Sequence, residues 1–209
     1  LVVRYASPTA LAEQERGPAP SPLAERDGLG RYRRGLLVHR LLQLLPDVPL
    51  EARVEGATAL LAKEQDLTSA QRAEMAAAAL GVLNDERFAA VFGPGSRAEV
   101  ALAGAAGALP EGLAVSGRID RLVVEENRVL AADFKTNRPA PARIEDADRA
   151  YIIQMAAYAA VLREVFPGRR IETALIWTDG PKLMPIPEKI IDQALASLRE
   201  GVEPPPASA

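Results

Sequence analysis

The chain has 209 residues, 48% of them hydrophobic, 25% charged and only 4% aromatic, with a net charge of −3 and no cysteine. That balance fits a globular protein of one domain, or one domain with an elaboration, around an aliphatic, alanine-rich core. It excludes wholesale disorder, a disulfide framework, a thiolate zinc site and an iron–sulfur cluster, while a slightly acidic total neither advertises nor forbids a nucleic-acid partner.

Residues 1–28 carry Pro8, Pro18, Pro20 and Pro22 among Ala, Ser, Glu and Arg, the composition of a linker or extended segment. The tail, 201–209, holds Pro204-Pro205-Pro206 and reads as flexible. With Leu1 at its start, the sequence is expected to be a segment of a larger protein. Between these ends, 29–200 is the expected folded domain. Leu36, Leu37, Leu41, Leu44 and Leu45 recur at helical spacing, so a helix is predicted over Leu29 to Leu45, stopped by Pro46. A second helix is predicted from Leu50 to Ala62. A third opens on Thr68, with Gln71 three residues on as a capping box, and runs to Leu83. Asp85 caps a short fourth, Glu86 to Phe92. Residues 29–92 are thus mainly helical.

After Gly93-Pro94-Gly95 the pattern changes. Strands are predicted over Arg97 to Leu102, Leu113 to Glu125 and Arg128 to Lys135. A helix from Ala147 to Val165 follows, then strands Ile171 to Thr178 and Lys182 to Ile186. A final helix, Glu188 to Leu198, closes the order within 188–200. Three strands close in sequence form an antiparallel meander, and the helix returns the next strand parallel by a right-handed crossover. The expected fold is an α/β mixed sheet of about five strands over 97–187, flanked by helices on both faces. The longest apolar runs, such as Ala101 to Leu109, fall far short of the ~18 residues of a membrane span. No secretory leader pattern opens the chain, and a cytoplasmic location is expected.

Chemistry concentrates in Gly117-Arg118-Ile119-Asp120-Arg121 and Asp133-Phe134-Lys135-Thr136. Asp133 and Lys135 lie two apart on one strand and share a face. If Glu126-Asn127 is a two-residue turn, Asp120 falls directly opposite Asp133, with Cβ atoms about 5 Å apart. Facing carboxylates repel, and the arrangement makes sense with a cation between them. The same register sets Arg118 against Lys135, so a bulge or splaying near the site is expected. Glu-Asn is a weak hairpin turn, which leaves a one-residue slip open. Hard oxygen ligands at this spacing favour Mg2+ or Mn2+, and a neighbouring lysine can orient water and offset charge on a phosphate. That is the equipment of metal-assisted phosphodiester hydrolysis. The plainer alternative is two surface aspartates and a lysine at strand ends. His39, the single histidine, is either a packed, hydrogen-bonded side chain or a third ligand. Gln154 and Tyr158 lie four apart on one face of an otherwise apolar helix and could be ordinary boundary residues.

In chain order, Gly35-x3-His39, Gly117-Arg118-Ile119-Asp120-Arg121, Asp133-Phe134-Lys135-Thr136 and Gln154-x3-Tyr158 resemble the RecB-family nucleases of the PD-(D/E)XK superfamily. Within them, the chain looks like the C-terminal nuclease domains of AddA subunits of bacterial AddAB helicase–nucleases. The likeness spans about residues 29–187, with Ile119-Asp120 standing where the superfamily's name has "PD". It implies a restriction-endonuclease-like fold, Mg2+ (with Mn2+ as an alternative), and His39, Asp120, Asp133 and the carbonyl of Phe134 as metal ligands. It also implies Lys135 as the catalytic lysine, with Gln154 and Tyr158 supporting the site and the DNA strand. Glu99 matches an acidic position of relatives, for metal support or a salt bridge with a nearby arginine.

Arg31, Arg33, Arg34 and Arg40 cluster around the His39 helix, and Arg118, Arg121, Lys135 and Arg138 surround the carboxylates. As a group they read as phosphate-positioning residues, with Arg34, Arg40, Arg121 and Arg138 the candidate DNA contacts; singly, each could be a solvated arginine. The expected function is a metal-dependent DNA exonuclease acting on strands, chiefly single strands, unwound by a helicase region of the same polypeptide. An AddB-like subunit is the expected partner, double-strand break repair by recombination the setting. The alternatives are a DNA-holding or subunit-contact module that keeps the fold, and a nuclease for RNA or branched DNA.

Overall fold

In the computed structural model of the chain, residues 4–8, 11 and 31–200 are described. They form six strands and five α-helices. The helices are α1 (Arg31–Leu44), α2 (Arg53–Ala62), α3 (Ser69–Leu83), α4 (Arg149–Val165) and α5 (Glu188–Glu200). The strands are β1 (Arg4–Ala6), β2 (Ser96–Ala105), β3 (Leu113–Val124), β4 (Arg128–Lys135), β5 (Arg170–Trp177) and β6 (Lys182–Ile186). All six strands join one mixed sheet.

Local signals explain most boundaries. Pro46 turns the end of α1 into a 3-10 turn, Leu45–Asp47. Thr68 accepts a hydrogen bond from the Gln71 backbone, and the Gln71 side chain accepts one from the Thr68 N–H, closing the expected capping box. Asp148 caps α4 by accepting from the Ala150 N–H at 2.9 Å. The predicted fourth helix is instead a six-residue 3-10 turn, Glu86–Val91, because Gly93-Pro94 leaves no room for a second α turn.

β4 and β5 pair in parallel across the α4 crossover, and β5 and β6 form an antiparallel hairpin. The unanticipated strand is β1. It lies within the stretch read as a linker and pairs in parallel with Leu113–Val115 of β3. Three residues carry no readable alternation; the pairing exists because the edge of β3 is there to receive it. The other residues of 1–28, apart from Ser7, Pro8 and Leu11, and all of 201–209 lie outside the described residues.

Two cores sandwich the sheet. One packs α4 and α5 against Val115, Ile119, Leu122, Val129 and Ala131. The other packs α1, α2 and α3 against Val123, Leu130, Ala132 and Phe134. No helix among the described residues is long and apolar enough to cross a membrane.

Candidate active site

The site grows from an interruption in β3. One edge of this strand is paired with β2 along nearly its whole length. The opposite edge pairs with β1 at Leu113–Val115 and with β4 only from Arg121 onward, so among the described residues positions 116–120 have no strand there. The β3–β4 hairpin has the expected two-residue loop, with the Glu125 N–H donating to the Arg128 carbonyl at 2.8 Å. Its register runs Val124↔Val129 to Arg121↔Ala132 without a slip. The next positions would be Asp120 and Asp133, and there the ladder stops. The anticipated splaying is therefore present, and it begins at the two carboxylates.

Asp120 stands at the kink. Ile119 and Leu122 both belong to the core under α4, although three residues apart on a regular strand should face opposite sides. The matching break on β2 is Glu99, which with Asp120 is skipped in the β2–β3 register and has φ of 53°. The Asp120 carboxylate repairs the broken ladder by accepting a hydrogen bond from the Phe134 N–H at 2.8 Å. The Lys135 carbonyl accepts from Thr178 on the β5 side, so Phe134, one residue earlier, directs its own N–H and C=O toward Asp120. His39 approaches from α1, with Nδ1 3.4 Å from Asp120 Oδ2 and its ring edge-to-face with Phe134.

Asp133 is 4% exposed. Burial, the largest influence, pushes its carboxyl up to about 6, the Lys135 charge pulls it back, and the Asp120 charge adds to the rise. Burial lowers the His39 pKa, but the hydrogen bond with Asp120 and the charges of Asp120 and Asp133 outweigh it, leaving His39 above its ordinary value. Lys135 Nζ lies 2.6 Å from Asp133 Oδ2, an ion pair. That oxygen nevertheless lacks a hydrogen bond of proper geometry while fully buried.

A buried, under-satisfied carboxylate oxygen beside a second carboxylate and a backbone carbonyl suits a hard divalent cation. Among the described residues no three His, Asp or Glu side chains are gathered as a ready-made metal cage. That donor set matches Mg2+, which binds through one or two carboxylates and keeps its waters, better than an ion that needs an all-protein shell.

α4 braces these groups. Gln154 Oε1 accepts from Lys135 Nζ at 3.1 Å. Tyr158, 2% exposed, donates to the Arg118 carbonyl at 2.7 Å, on the stretch of β3 that among the described residues has a strand on its β2 edge alone. Burial pushes its hydroxyl up to about 12. Gly117 permits this fit, since a Cβ there would lie 2.9 Å from the Tyr158 hydroxyl. Tyr158 is thus a strut for β3, in keeping with a residue that supports the site, and at 2% exposure it presents almost no surface to a DNA strand.

The candidate DNA contacts divide. Arg121 is 4% exposed, with its guanidinium over the Phe92 ring, so it is a core residue and not a phosphate contact. Two residues before Val123 and paired with Ala132, it faces the core under α1, α2 and α3 by ordinary alternation. Arg34 is also withdrawn, because it bonds Glu74 through Nε at 3.0 Å and the Thr136 carbonyl at 3.1 Å. Arg138 pairs with Glu74 and with Asp179 but stays half-exposed. Arg40 is exposed and engages no acidic side chain among the described residues. Glu99 forms the salt bridge left open for it, 3.6 Å from Arg118. Sequence reasoning missed the role of Tyr151, whose ring lies under Lys135 Nζ; its position three residues before Gln154 was the available signal.

The profile of the PD-(D/E)XK nuclease superfamily matches residues 10–198. No curated protein matches the sequence. Among solved structures, a presumed exonuclease from Eubacterium rectale is 14% identical, with 77% of this chain and 64% of that one covered and a TM-score of 0.49. This chain thus spans slightly less than two thirds of that protein. The protein SSO0001 is 17% identical, with 80% of this chain and 76% of that one covered and a TM-score of 0.34.

Proposed function

We propose, from the premise that this chain belongs to the PD-(D/E)XK nuclease superfamily, that it is a divalent-metal-dependent deoxyribonuclease working inward from DNA ends. The observation that carries this is the convergence of Asp120, Asp133 and Lys135 where the β3–β4 ladder opens. Asp120, Asp133 and the Phe134 carbonyl would hold Mg2+ or Mn2+, with His39 on the Asp120 side. Such an ion, when bound, polarises a phosphoryl oxygen and makes water a nucleophile near neutral pH.

The protein's own groups do the rest. The two carboxylates repel each other and so favour a cation over an empty site. Lys135 orients the attacking water and offsets charge that grows on the phosphate in the transition state. Gln154 fixes the lysine, and Tyr158 fixes the strand that presents Asp120. Arg40 and the exposed part of Arg138 hold flanking phosphates without reading sequence. The ordered motifs further support a RecB-like, AddA-type setting. In that setting a helicase region of the same polypeptide delivers the strand during recombinational repair, with an AddB-like partner.

The test is single-turnover cleavage of labelled linear DNA, circular single-stranded DNA and RNA, each with Mg2+, Mn2+ or EDTA, for the parent and Lys135→Ala. Linear DNA should be cut and circles spared. The variant should be about two to four orders of magnitude slower while still binding DNA in Ca2+. A parent that binds DNA but never cuts it, with Lys135→Ala changing affinity alone, would make the chain a DNA-holding module.

A further inference from the structure

An ammonium group has three N–H bonds, and a lysine near a strand end ordinarily spends them on water. Lys135 does not, since its side chain is only 11% exposed. Nζ lies 2.6 Å from Asp133 Oδ2 and 3.1 Å from Gln154 Oε1, and sits 3.9 Å from the centroid of the Tyr151 ring. Two oxygens and one aromatic face therefore surround it. Tyr151 and Gln154 are three residues apart on α4, so one helix face supplies both the amide and the ring. The aromatic face attracts a cation, more strongly where water is excluded.

We propose that Tyr151 is a positioning residue for the reaction, acting through Lys135. Its ring, not its hydroxyl, keeps Nζ from swinging out of the site when substrate and cation draw Asp133 away from the lysine. The inference rests on the reading of Lys135 as the catalytic lysine. Asp133 cannot hold Lys135 and serve a divalent cation with full effect at once. Gln154 contributes one hydrogen bond, which leaves Nζ free to rotate about that contact. A ring on another side removes this freedom without competing for the cation, because it has no lone pair to offer.

The experiment compares Tyr151→Leu and Tyr151→Phe with the parent and Lys135→Ala. Its first readout is single-turnover cleavage of a labelled single-stranded oligonucleotide in Mg2+, beside oligonucleotide binding in Ca2+ and thermal melting. Tyr151→Leu should cut roughly 3- to 30-fold more slowly, the range spanned by a cation–π contact. Its affinity and melting point should stay close to the parent's, and Tyr151→Phe should recover most of the lost rate. Phenylalanine as slow as leucine would give the role to the hydroxyl and overturn the proposal. So would a loss confined to affinity, or no loss at all.

The second readout needs no cleavage. The ring current of Tyr151 should shift the Lys135 ε-methylene NMR signals upfield, with those signals identified by their disappearance in Lys135→Ala. The shift should persist in Tyr151→Phe and vanish in Tyr151→Leu. An unshifted lysine in the parent sinks the contact itself. A shifted lysine in a parent that cuts nothing refutes the nuclease reading, and the positioning role with it, while leaving the contact in place.

Discussion

Replacing Asp133 with asparagine should make the metal-free protein more stable at neutral pH, and less responsive to Mg2+. The unfolded carboxyl titrates near 3.8, the folded one at about 6. Below the lower value both states carry the proton and the charge costs nothing. As pH rises from 3.8 to about 6, the unfolded chain releases its proton while the fold still holds one. Stability therefore falls across that window and levels off above it. About two pH units at 1.36 kcal/mol each give a ceiling on the order of 3 kcal/mol. That figure already includes the attraction of Lys135, since the raised value is what remains after it.

Asparagine keeps the shape and removes the charge, so it should recover roughly 1–3 kcal/mol above pH 6. For a domain of this size that is about 3–10 °C in melting temperature. The assay is thermal unfolding in EDTA from pH 4 to pH 8, with and without added Mg2+. The gap between variant and parent should be near zero at pH 4 and full by pH 7. His39 acts in the same sense: its raised value means stability present below 6.5 and lost as pH rises through the folded value. Mg2+ should then raise the parent's melting point and leave Asp133→Asn nearly unmoved. A gap equally large at pH 4, or a variant less stable than the parent in EDTA at pH 7.5, would refute the buried-charge reasoning.

Other outcomes follow from the same geometry. Tyr158→Phe removes the donor to the Arg118 carbonyl; it should cost about 1–2 kcal/mol in denaturant unfolding and slow cleavage through Asp120, with unchanged DNA affinity in Ca2+. A variant as stable and as fast as the parent would show that β3 needs no strut. Arg34→Met and Arg40→Ala should differ in kind. The first breaks the contacts with Glu74 and Thr136 and should lower the melting temperature with little effect on affinity. The second should leave melting unchanged and reduce the slope of log affinity against log salt by about 1. Salt titrations of binding decide it, and the reverse pattern would exchange the two assignments.

Much of this protein was legible from local pattern. Helical spacing in the first part, the Thr68 capping box and the strand spans Arg128–Lys135 and Lys182–Ile186 all depend on residues within a few positions of each other. The two-residue loop at Glu126-Asn127 set the hairpin register, which runs to Arg121↔Ala132 and leaves Asp120 and Asp133 at the next position, where the ladder opens. The fate of the arginines was not legible. Arg34 finds Glu74, 40 residues away, and Arg138 reaches the same carboxylate from the segment after β4, so the charges were visible but their partners were not.

The sequence by itself determined which residue types could perform the chemistry and on which strands they stand, because alternation and turn length are short-range properties of the backbone. Tertiary structure decided how those residues are used. A kink shared by Glu99 and Asp120 reversed the alternation of β3, placing Ile119 on the same face as Leu122. Packing of α4 buried Tyr158 as a strut and set the Tyr151 ring against Lys135. Closure of both cores over the sheet raised the Asp133 carboxyl to about 6. Burial, desolvation and the choice of ionic partner depend on which distant segments share a volume, and no short window of sequence contains that information.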